Sequence, residues 1–330
     1  MSTPHDALTR FRPWAALFVA LAVLGYVAIA VWTGLDQTAT ALATFRWWIF
    51  APVLALTLVN YGLRYLKWHY LLGRLGVRLP HRRDLWVFGT GLAMVISPGR
   101  AGELVKPYLV RSLTGAPIAR TLPALVSERV TDGLAVVLLA GLGVGTWHPE
   151  GAWILLALLG MVGLGLVALF LDPVVAAALA LLRGLPLLGR AAPKVEEVVS
   201  ALRTCLSPAP LLLTLSLSLV AWGAECVGYW LVFQGLQAPA TLEAATFLYA
   251  SATVFGGPSP GGMGIADGAL VEGAIRLVAG MEPGSAVAAA LLIRVATLWF
   301  GVALGAVALV RVERLLATAA APRAPGAPSE

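Results

Sequence analysis

The sequence predicts an all-α polytopic membrane protein with about six full spans and two re-entrant hairpins, arranged as an inverted-topology repeat. Hydrophobic residues make up 59% of the 330 residues and charged residues only 12%, whereas roughly a quarter of the residues in soluble domains are charged. Lys and Arg are concentrated in alternate connections between apolar runs, as in the cytoplasmic loops of membrane proteins. The motif S-P-G-x-x-G also occurs twice, at 97–102 and 259–264, each time after an apolar run too short to cross a bilayer.

The first two elements are predicted to be spanning helices. A cytoplasmic N-terminus at 1–13 precedes an apolar run at 14–33, whose length favours a span over the alternative of a cleaved signal peptide. A second helix is predicted at about 47–66. A basic segment follows and is therefore placed in the cytoplasm. Its basic residues before Asp84 are Arg64, Lys67, Arg74, Arg78, Arg82 and Arg83.

The next apolar run, at 85–96, ends at the first S-P-G break. Pro and Gly take the backbone out of the helix, and such backbone is tolerated at membrane depth only where protein or a wet cavity satisfies it. Positive charge flanks the break on both sides, so we expect a hairpin that enters the bilayer from the cytoplasmic side. A third helix at about 121–147 completes the first half, 14–147.

The second half, 152–312, repeats this order from the other side of the membrane. Acidic residues prevail around the second break, so we expect this hairpin to enter from outside. The predicted elements are a fourth helix at 152–171, a cytoplasmic segment with one amphipathic helix at 172–209, a fifth helix at 211–234, the short run 244–256, a sixth helix at 285–310 and a disordered cytoplasmic tail at 313–330.

The distribution of basic residues predicts the orientation of the chain. Of the 23 Lys and Arg residues, 19 fall in the segments that this scheme places inside. Such a bias positions the inner loops of a membrane protein. Both termini are therefore expected in the cytoplasm, and the second half becomes the inverted counterpart of the first.

Five ionisable residues lie within predicted spans, where each costs at least about 2.5 kcal/mol unless it faces a partner or water. They are Glu128, Arg129, Asp132, Glu225 and Arg294. We expect Arg294 to face Glu128, Asp132 or Glu225 across the interface between the halves. The alternative is that these charges only lock helices together.

The two breaks provide the other candidate site residues. The predicted backbone breaks are at Pro98, Gly99, Gly102, Pro260, Gly261, Gly262 and Gly264. A helix that restarts after Gly102 would bring Arg100, Glu103 and Lys106 to its N-terminus, which suits a phosphate group. Alternatively, these side chains snorkel to the membrane interface. Asp267, after the second break, is expected to cap a helix.

Several soluble chemistries are excluded by context. Residues 257–261 match G-x-S-x-G, but the strand and the His and Asp partners of a serine hydrolase are missing. The four histidines have no metal-ligand spacing, and neither a P-loop nor a dinucleotide fingerprint is present. We therefore expect no metal and no cofactor. The basic residues occupy loops between apolar runs rather than one face of a module, which argues against nucleic acid as a partner.

The chain resembles the family of the lysylphosphatidylglycerol synthase transmembrane region, also described as flippase-like. The resemblance rests on P-G-R-A-G-E at 98–103 with Lys106, on Glu128-Arg129 with Asp132, on P-G-G-M-G at 260–264 and on Arg294. It implies a bacterial inner-membrane domain that moves lipids between leaflets. Two-part relatives carry a soluble aminoacyl-transfer domain after the membrane part, and since this chain ends at Glu330 we expect no enzyme activity.

The leading functional prediction is therefore a lipid flippase or transporter that moves an anionic phospholipid or lipid-linked head group. Its expected substrate-binding residues are Arg100, Glu103, Lys106, Glu128, Arg129, Asp132, Glu225 and Arg294. One alternative is a non-catalytic membrane partner of a lipid-synthesis or glycosyl-transfer enzyme. Another is an intramembrane enzyme that acts on lipid head groups through Glu103, Glu128 and Asp132. Membrane lipids are the expected partners in the leading case.

Overall fold

The computed structural model describes residues 35–97, 102–147, 151–185, 189–257 and 259–320, and within these ranges all regular structure is helical. The predicted first span at 14–33 lies outside the described residues, as do Pro98, Gly99 and Arg100 of the first break. Four helices are long and apolar enough to cross a membrane, namely Trp47–Arg74, Ala152–Phe170, Pro208–Gly235 and Pro283–Leu316. The chain is therefore an all-helical integral membrane protein.

In the first half, a short helix leads into one long helix, two shorter helices flank the first break, and a second long helix follows. These are α1 (Leu35–Thr44), α2 (Phe50–Arg74), α3 (His81–Ala93), α4 (Val105–Thr114) and α5 (Ile118–Trp147). A 3₁₀ turn at Met94–Ile96 ends α3 just before the break. Since α2 continues to Arg74, Arg64 and Lys67 lie inside a helix and are buried, so their predicted placement in a cytoplasmic loop is wrong.

The second half contains eight helices among the described residues. They are α6 (Ala152–Phe170), α7 (Asp172–Gly184), α8 (Ala192–Leu206), α9 (Pro208–Gly235), α10 (Leu242–Gly256), α11 (Ile265–Leu277), α12 (Pro283–Arg294) and α13 (Phe300–Ala320). The segment predicted to hold one amphipathic helix thus holds two, α7 and α8. A π-helical stretch at Val295–Trp299 joins α12 to α13, and α13 extends past residue 313, where the tail was predicted to begin.

Helix packing joins the two halves of the chain. The long helix α2 packs on α9. Helix α5 packs on α10, which precedes the second break, and α13 packs on α3, which precedes the first. The 3₁₀ turns Met94–Ile96 and Pro260–Gly262 touch each other. The end of α3 and the second break therefore lie side by side.

Helix α6 lies at the edge of this bundle. Leu155 is its one buried residue, and about half of its side chains are exposed, including the large apolar residues Trp153, Leu156, Met161 and Leu164. In a membrane protein such a surface faces lipid hydrocarbon, since apolar side chains need no burial there. Helix α6 contacts the bundle mainly through α5.

Both cysteines, Cys205 and Cys226, are buried and free, and we predict that neither reacts with a maleimide in the folded protein. Burial raises the pKa of the Cys205 thiol to about 11, although Ser127 and Arg74 oppose the shift. Because only the thiolate is nucleophilic, a raised pKa lowers the reactive fraction at neutral pH. A Ser112→Cys variant, at an exposed position of α4, serves as the reactive control. Labelling of the native cysteines at the rate of this control would contradict their burial.

Candidate functional site

A small polar cavity lies between the turn Met94–Ile96 and the second break, and we call it the central cavity. It has a volume of about 80 Å³, enough for a few water molecules. Its walls come from α2, α3, α9, α10, α11, α12 and α13, from the turn Met94–Ile96 and from the second break. The polar side chains that line it are Tyr61, Arg64, Glu225, Tyr249, Thr253, Arg294 and Thr297.

The second break depends on three glycines with positive φ, namely Gly261 at 58°, Gly262 at 75° and Gly264 at 81°. Residues with a Cβ rarely adopt this conformation. A Cβ on Gly262 would lie 3.4 Å from Nη2 of Arg294, and the carbonyl of Gly261 accepts a hydrogen bond of 2.6 Å from the same nitrogen. The glycines therefore allow the backbone of the second break to approach Arg294 closely.

Arg294 is fixed by Asp267 at the start of α11. Nε of Arg294 lies 2.7 Å from Oδ1 of Asp267, while Oδ2 of Asp267 accepts a hydrogen bond of 2.9 Å from the Gly264 amide. The predicted capping role of Asp267 is thus confirmed. This ion pair joins two residues of the same half and depends on α11 folding back onto α12. The partners predicted from the sequence were Glu128, Asp132 and Glu225, and of these Glu225 lines the same cavity as Arg294.

Glu225, another predicted site residue, lies on α9 in the wall of the central cavity. Its Oε2 accepts a hydrogen bond of 2.7 Å from the hydroxyl of Tyr249. Arg64 and Arg294 line the same cavity. The cavity thus brings together charged side chains from both halves of the chain.

The first break is stabilised by Ser97. Its Oγ accepts a hydrogen bond of 2.7 Å from the Gly102 amide and donates one of 2.7 Å to the carbonyl of Met94. A Cβ on Gly102 would lie 2.8 Å from Oγ of Ser97. Gly102 is therefore required for the tight return of the chain, as predicted.

Beyond the first break, Lys106 is enclosed by protein. Its Nζ lies 2.6 Å from Oε2 of Glu128, 4.2 Å from the ring centroid of Trp68 and 5.3 Å from that of Phe88. Both Lys106 and Glu128 are buried. The alternative that Lys106 snorkels to the membrane interface is therefore wrong, and this pair locks α4 to α5.

A second ion pair joins α2 to α5. Nζ of Lys67 lies 2.5 Å from Oδ1 of Asp132 and donates a hydrogen bond of 2.7 Å to Ser218 of α9. Oδ2 of Asp132 lies 3.8 Å from Nε of Arg64 and 3.3 Å from Nη2 of Arg129. Arg129 also lies 3.5 Å from Glu103. Four cations and three carboxylates thus form one network, the charge cluster, of Arg64, Lys67, Glu103, Lys106, Glu128, Arg129 and Asp132.

Arg64 and Lys67 are the site residues that the sequence analysis missed. The sequence did contain a pattern that indicates their position. Along α2, polar residues recur at spacings of three and four, namely Thr57, Asn60, Arg64 and Lys67. This periodicity places them on one helix face, and all four are buried. A polar stripe along an otherwise apolar helix indicates an interior-facing surface in a membrane protein.

Two arginines of the charge cluster retain donor capacity. Among the described residues, none of the three guanidinium nitrogens of Arg129 has a hydrogen-bond partner of good geometry, and neither has Nε of Arg64. Lys67, by contrast, donates to Thr131, Asp132 and Ser218, and Lys106 is paired with Glu128 and enclosed by the rings of Trp68 and Phe88. The arginines are therefore the cations of the cluster that can still bind an anion.

An apolar groove of about 320 Å³ extends from the charge cluster to helix α6. Arg129 and Asp132 lie in its wall, and the remaining wall is mostly apolar, including Leu134, Val136, Val137, Leu158, Leu159, Val162 and Val254. Trp222, Thr253 and Gly257 line both this groove and the central cavity. The two spaces are therefore neighbours.

The histidines are less scattered than the sequence indicated. The rings of His69 and His81 lie 4.4 Å apart, and Nδ1 of His69 lies 2.5 Å from the buried carboxylate of Asp84, which also accepts a hydrogen bond from Trp68. This group ties α2 to α3. Among the described residues, no group of three or more His, Cys, Asp or Glu side chains is arranged to hold a metal ion.

Comparison with known proteins places this architecture in a family. Residues 14–305 match the family described as the lysylphosphatidylglycerol synthase TM region. A UPF0104 membrane protein of Methanothermobacter thermautotrophicus is 26% identical over 337 aligned positions, which cover 92% of this chain and 93% of that protein. The residues matched to the family, 14–305, span both breaks, the charge cluster and Arg294. The chain belongs to the lysylphosphatidylglycerol synthase TM region family.

Proposed function

We propose that this protein moves an anionic membrane lipid from one leaflet to the other without changing it chemically. The observation that carries the proposal is the adjacency of the polar central cavity and the apolar groove. A lipid has the same two parts, a polar head group and apolar chains. The groove would take part of a chain, and the polar side would take the head group.

The charges support an anionic head group. Cations outnumber carboxylates in the charge cluster, and Arg64 and Arg129 keep unused N–H donors there. A guanidinium matches the geometry of a phosphate with two parallel hydrogen bonds. Buried charges are costly in a membrane protein and normally face a partner or a wet cavity. We therefore assign Arg64 and Arg129 as the principal head-group ligands.

The packing supports an inverted-topology repeat of six spans and two re-entrant hairpins. Exchanging the halves maps the contact of α5 with α10 onto that of α13 with α3, and pairs α2 with α9. Such repeats meet at a central substrate site in many transporters, and their broken helices line it. Together with the distribution of Lys and Arg, this supports a cytoplasmic position for both termini.

The test is lipid movement in vesicles that hold the pure protein and a trace of acyl-labelled fluorescent phosphatidylglycerol. A membrane-impermeant reductant bleaches the outer leaflet, and the protein should add a slower phase as inner-leaflet lipid becomes accessible. Recovery of the lipid with an unchanged mass would support transport without chemistry. Bleaching that stops at the outer-leaflet fraction, as in protein-free vesicles, would contradict the proposal.

Arg64→Gln and Arg129→Gln are each predicted to slow this phase about 10-fold or more, because a hydrogen bond to a charged group contributes about 1.5–3 kcal/mol. Arg276→Gln is the matched control, since Arg276 is exposed and pairs only with Glu272 on the same helix among the described ion pairs. Unchanged rates in both cluster variants would exclude the assigned head-group ligands.

A further inference from the structure

We propose that Trp222 is the partition between the apolar groove and the central cavity, and that a lipid head group passes from the groove to the cavity only when this indole moves. The inference rests on the proposed function and specifies how its site selects substrates. It predicts a preference for lipids with small anionic head groups.

The position of Trp222 supports this role. Three residues line both spaces, and the other two, Thr253 and Gly257, are small. The indole therefore provides most of the wall that the groove and the cavity share. Arg129 and Asp132 lie on the groove side, and Arg64 and Glu225 lie on the cavity side.

The charges on the two sides are linked through one carboxylate. Arg129 and Arg64 approach the same oxygen, Oδ2 of Asp132, at 3.3 and 3.8 Å. The guanidinium carbon of Arg64 also lies 5.9 Å from the ring centroid of Trp222. A head group that crosses from the groove to the cavity beside Trp222 therefore passes from one arginine of this link to the other.

Trp222 is also held less firmly than comparable tryptophans. Nε1 of Trp68 donates a hydrogen bond of 2.9 Å to Asp84, and Nε1 of Trp230 donates one of 3.2 Å to the Ala240 carbonyl. Nε1 of Trp222 is buried without a hydrogen-bond partner among the described residues. Since a buried indole N–H normally finds a partner, this donor is available to a head group that passes.

The size of the polar space limits what can pass. The central cavity of about 80 Å³ would hold a phosphate-sized group more readily than a sugar. With the indole removed, the groove and the cavity merge into a larger space. Head-group selectivity should therefore depend on the side chain at position 222.

The experiment compares acyl-labelled phosphatidylglycerol with acyl-labelled phosphatidylinositol in the vesicle assay above. In the wild type we expect the smaller head group to move faster. In Trp222→Ala we expect both rates to rise by about threefold or more and their ratio to approach one, as for removal of a gate. Trp222→Leu, which keeps more of the side-chain volume, should lie between these two proteins.

Trp230→Leu, on the same helix but outside the walls of both spaces, is the matched control and should keep the wild-type ratio. A wild-type ratio in folded Trp222→Ala, or equal slowing of both lipids, would overturn the partition. These results are distinct from failure of the proposed function, in which the wild type itself would move neither lipid.

Discussion

Replacing Glu128 with Gln should destabilise the protein by about 3–5 kcal/mol, the usual effect of removing one member of a buried ion pair. Lys106 would remain buried with its charge unpaired, because Oε2 of Glu128, at 2.6 Å, is its described ion-pair partner. The surrounding rings of Trp68 and Phe88 attract the ammonium group, but cation–π contacts contribute only about 2 kcal/mol even when desolvated. The thermal midpoint in detergent would measure the loss.

Two comparisons separate charge from shape in this prediction. Glu272→Gln removes one member of an exposed pair on α11 and should cost less than about 1 kcal/mol. The double variant Lys106→Met, Glu128→Gln should lose much less stability than Glu128→Gln alone, since it leaves no unpaired ammonium. An equal loss in the single and double variants would show that the shape of Glu128, and not its charge, stabilises this contact.

Hydrophobicity predicted the end of a helix correctly only where the first charged residues lie at that end. The basic stretch after residue 63 was assigned to a loop because Lys and Arg usually mark cytoplasmic connections. In the structure α2 continues to Arg74, about two turns beyond the predicted end at residue 66, and its first basic residues, Arg64 and Lys67, are buried. Periodicity distinguishes the cases, because loop residues need not recur on one helix face whereas Thr57, Asn60, Arg64 and Lys67 do.

The members of the site were more predictable than their pairing. Glu128, Arg129 and Asp132 were identified because charges within an apolar run are costly, and they do form one cluster. The partner of Arg294 could not be predicted, because it depends on how α11 folds back after the second break. Trp222 carries no charge and lies in an ordinary apolar run, so only the adjacency of two cavities identifies it.

Gly305→Ala should separate α13 from α3 and abolish lipid movement. A Cβ at Gly305 would overlap the backbone nitrogen of Ala93 and lie 2.8 Å from its Cβ. A Cβ on Gly89 would likewise lie 2.7 Å from Cβ of Ala308 in the same helix pair, so the two helices are in close contact at both positions. Since a backbone atom cannot rotate away, the helices must move apart, and overpacking of this kind costs about 1–3 kcal/mol.

The rate of lipid movement should fall by more than the loss of stability alone would cause. The reason is that α3 leads directly into the turn Met94–Ile96, which touches the second break. A shift of α3 would therefore displace one wall of the central cavity. Gly141→Ala is the matched control, since a Cβ there meets nothing within 4 Å, and helix propensity should make it neutral or stabilising by up to about 1 kcal/mol. A folded Gly305→Ala protein that moves lipid at the wild-type rate would show that the α3–α13 contact does not position the first break.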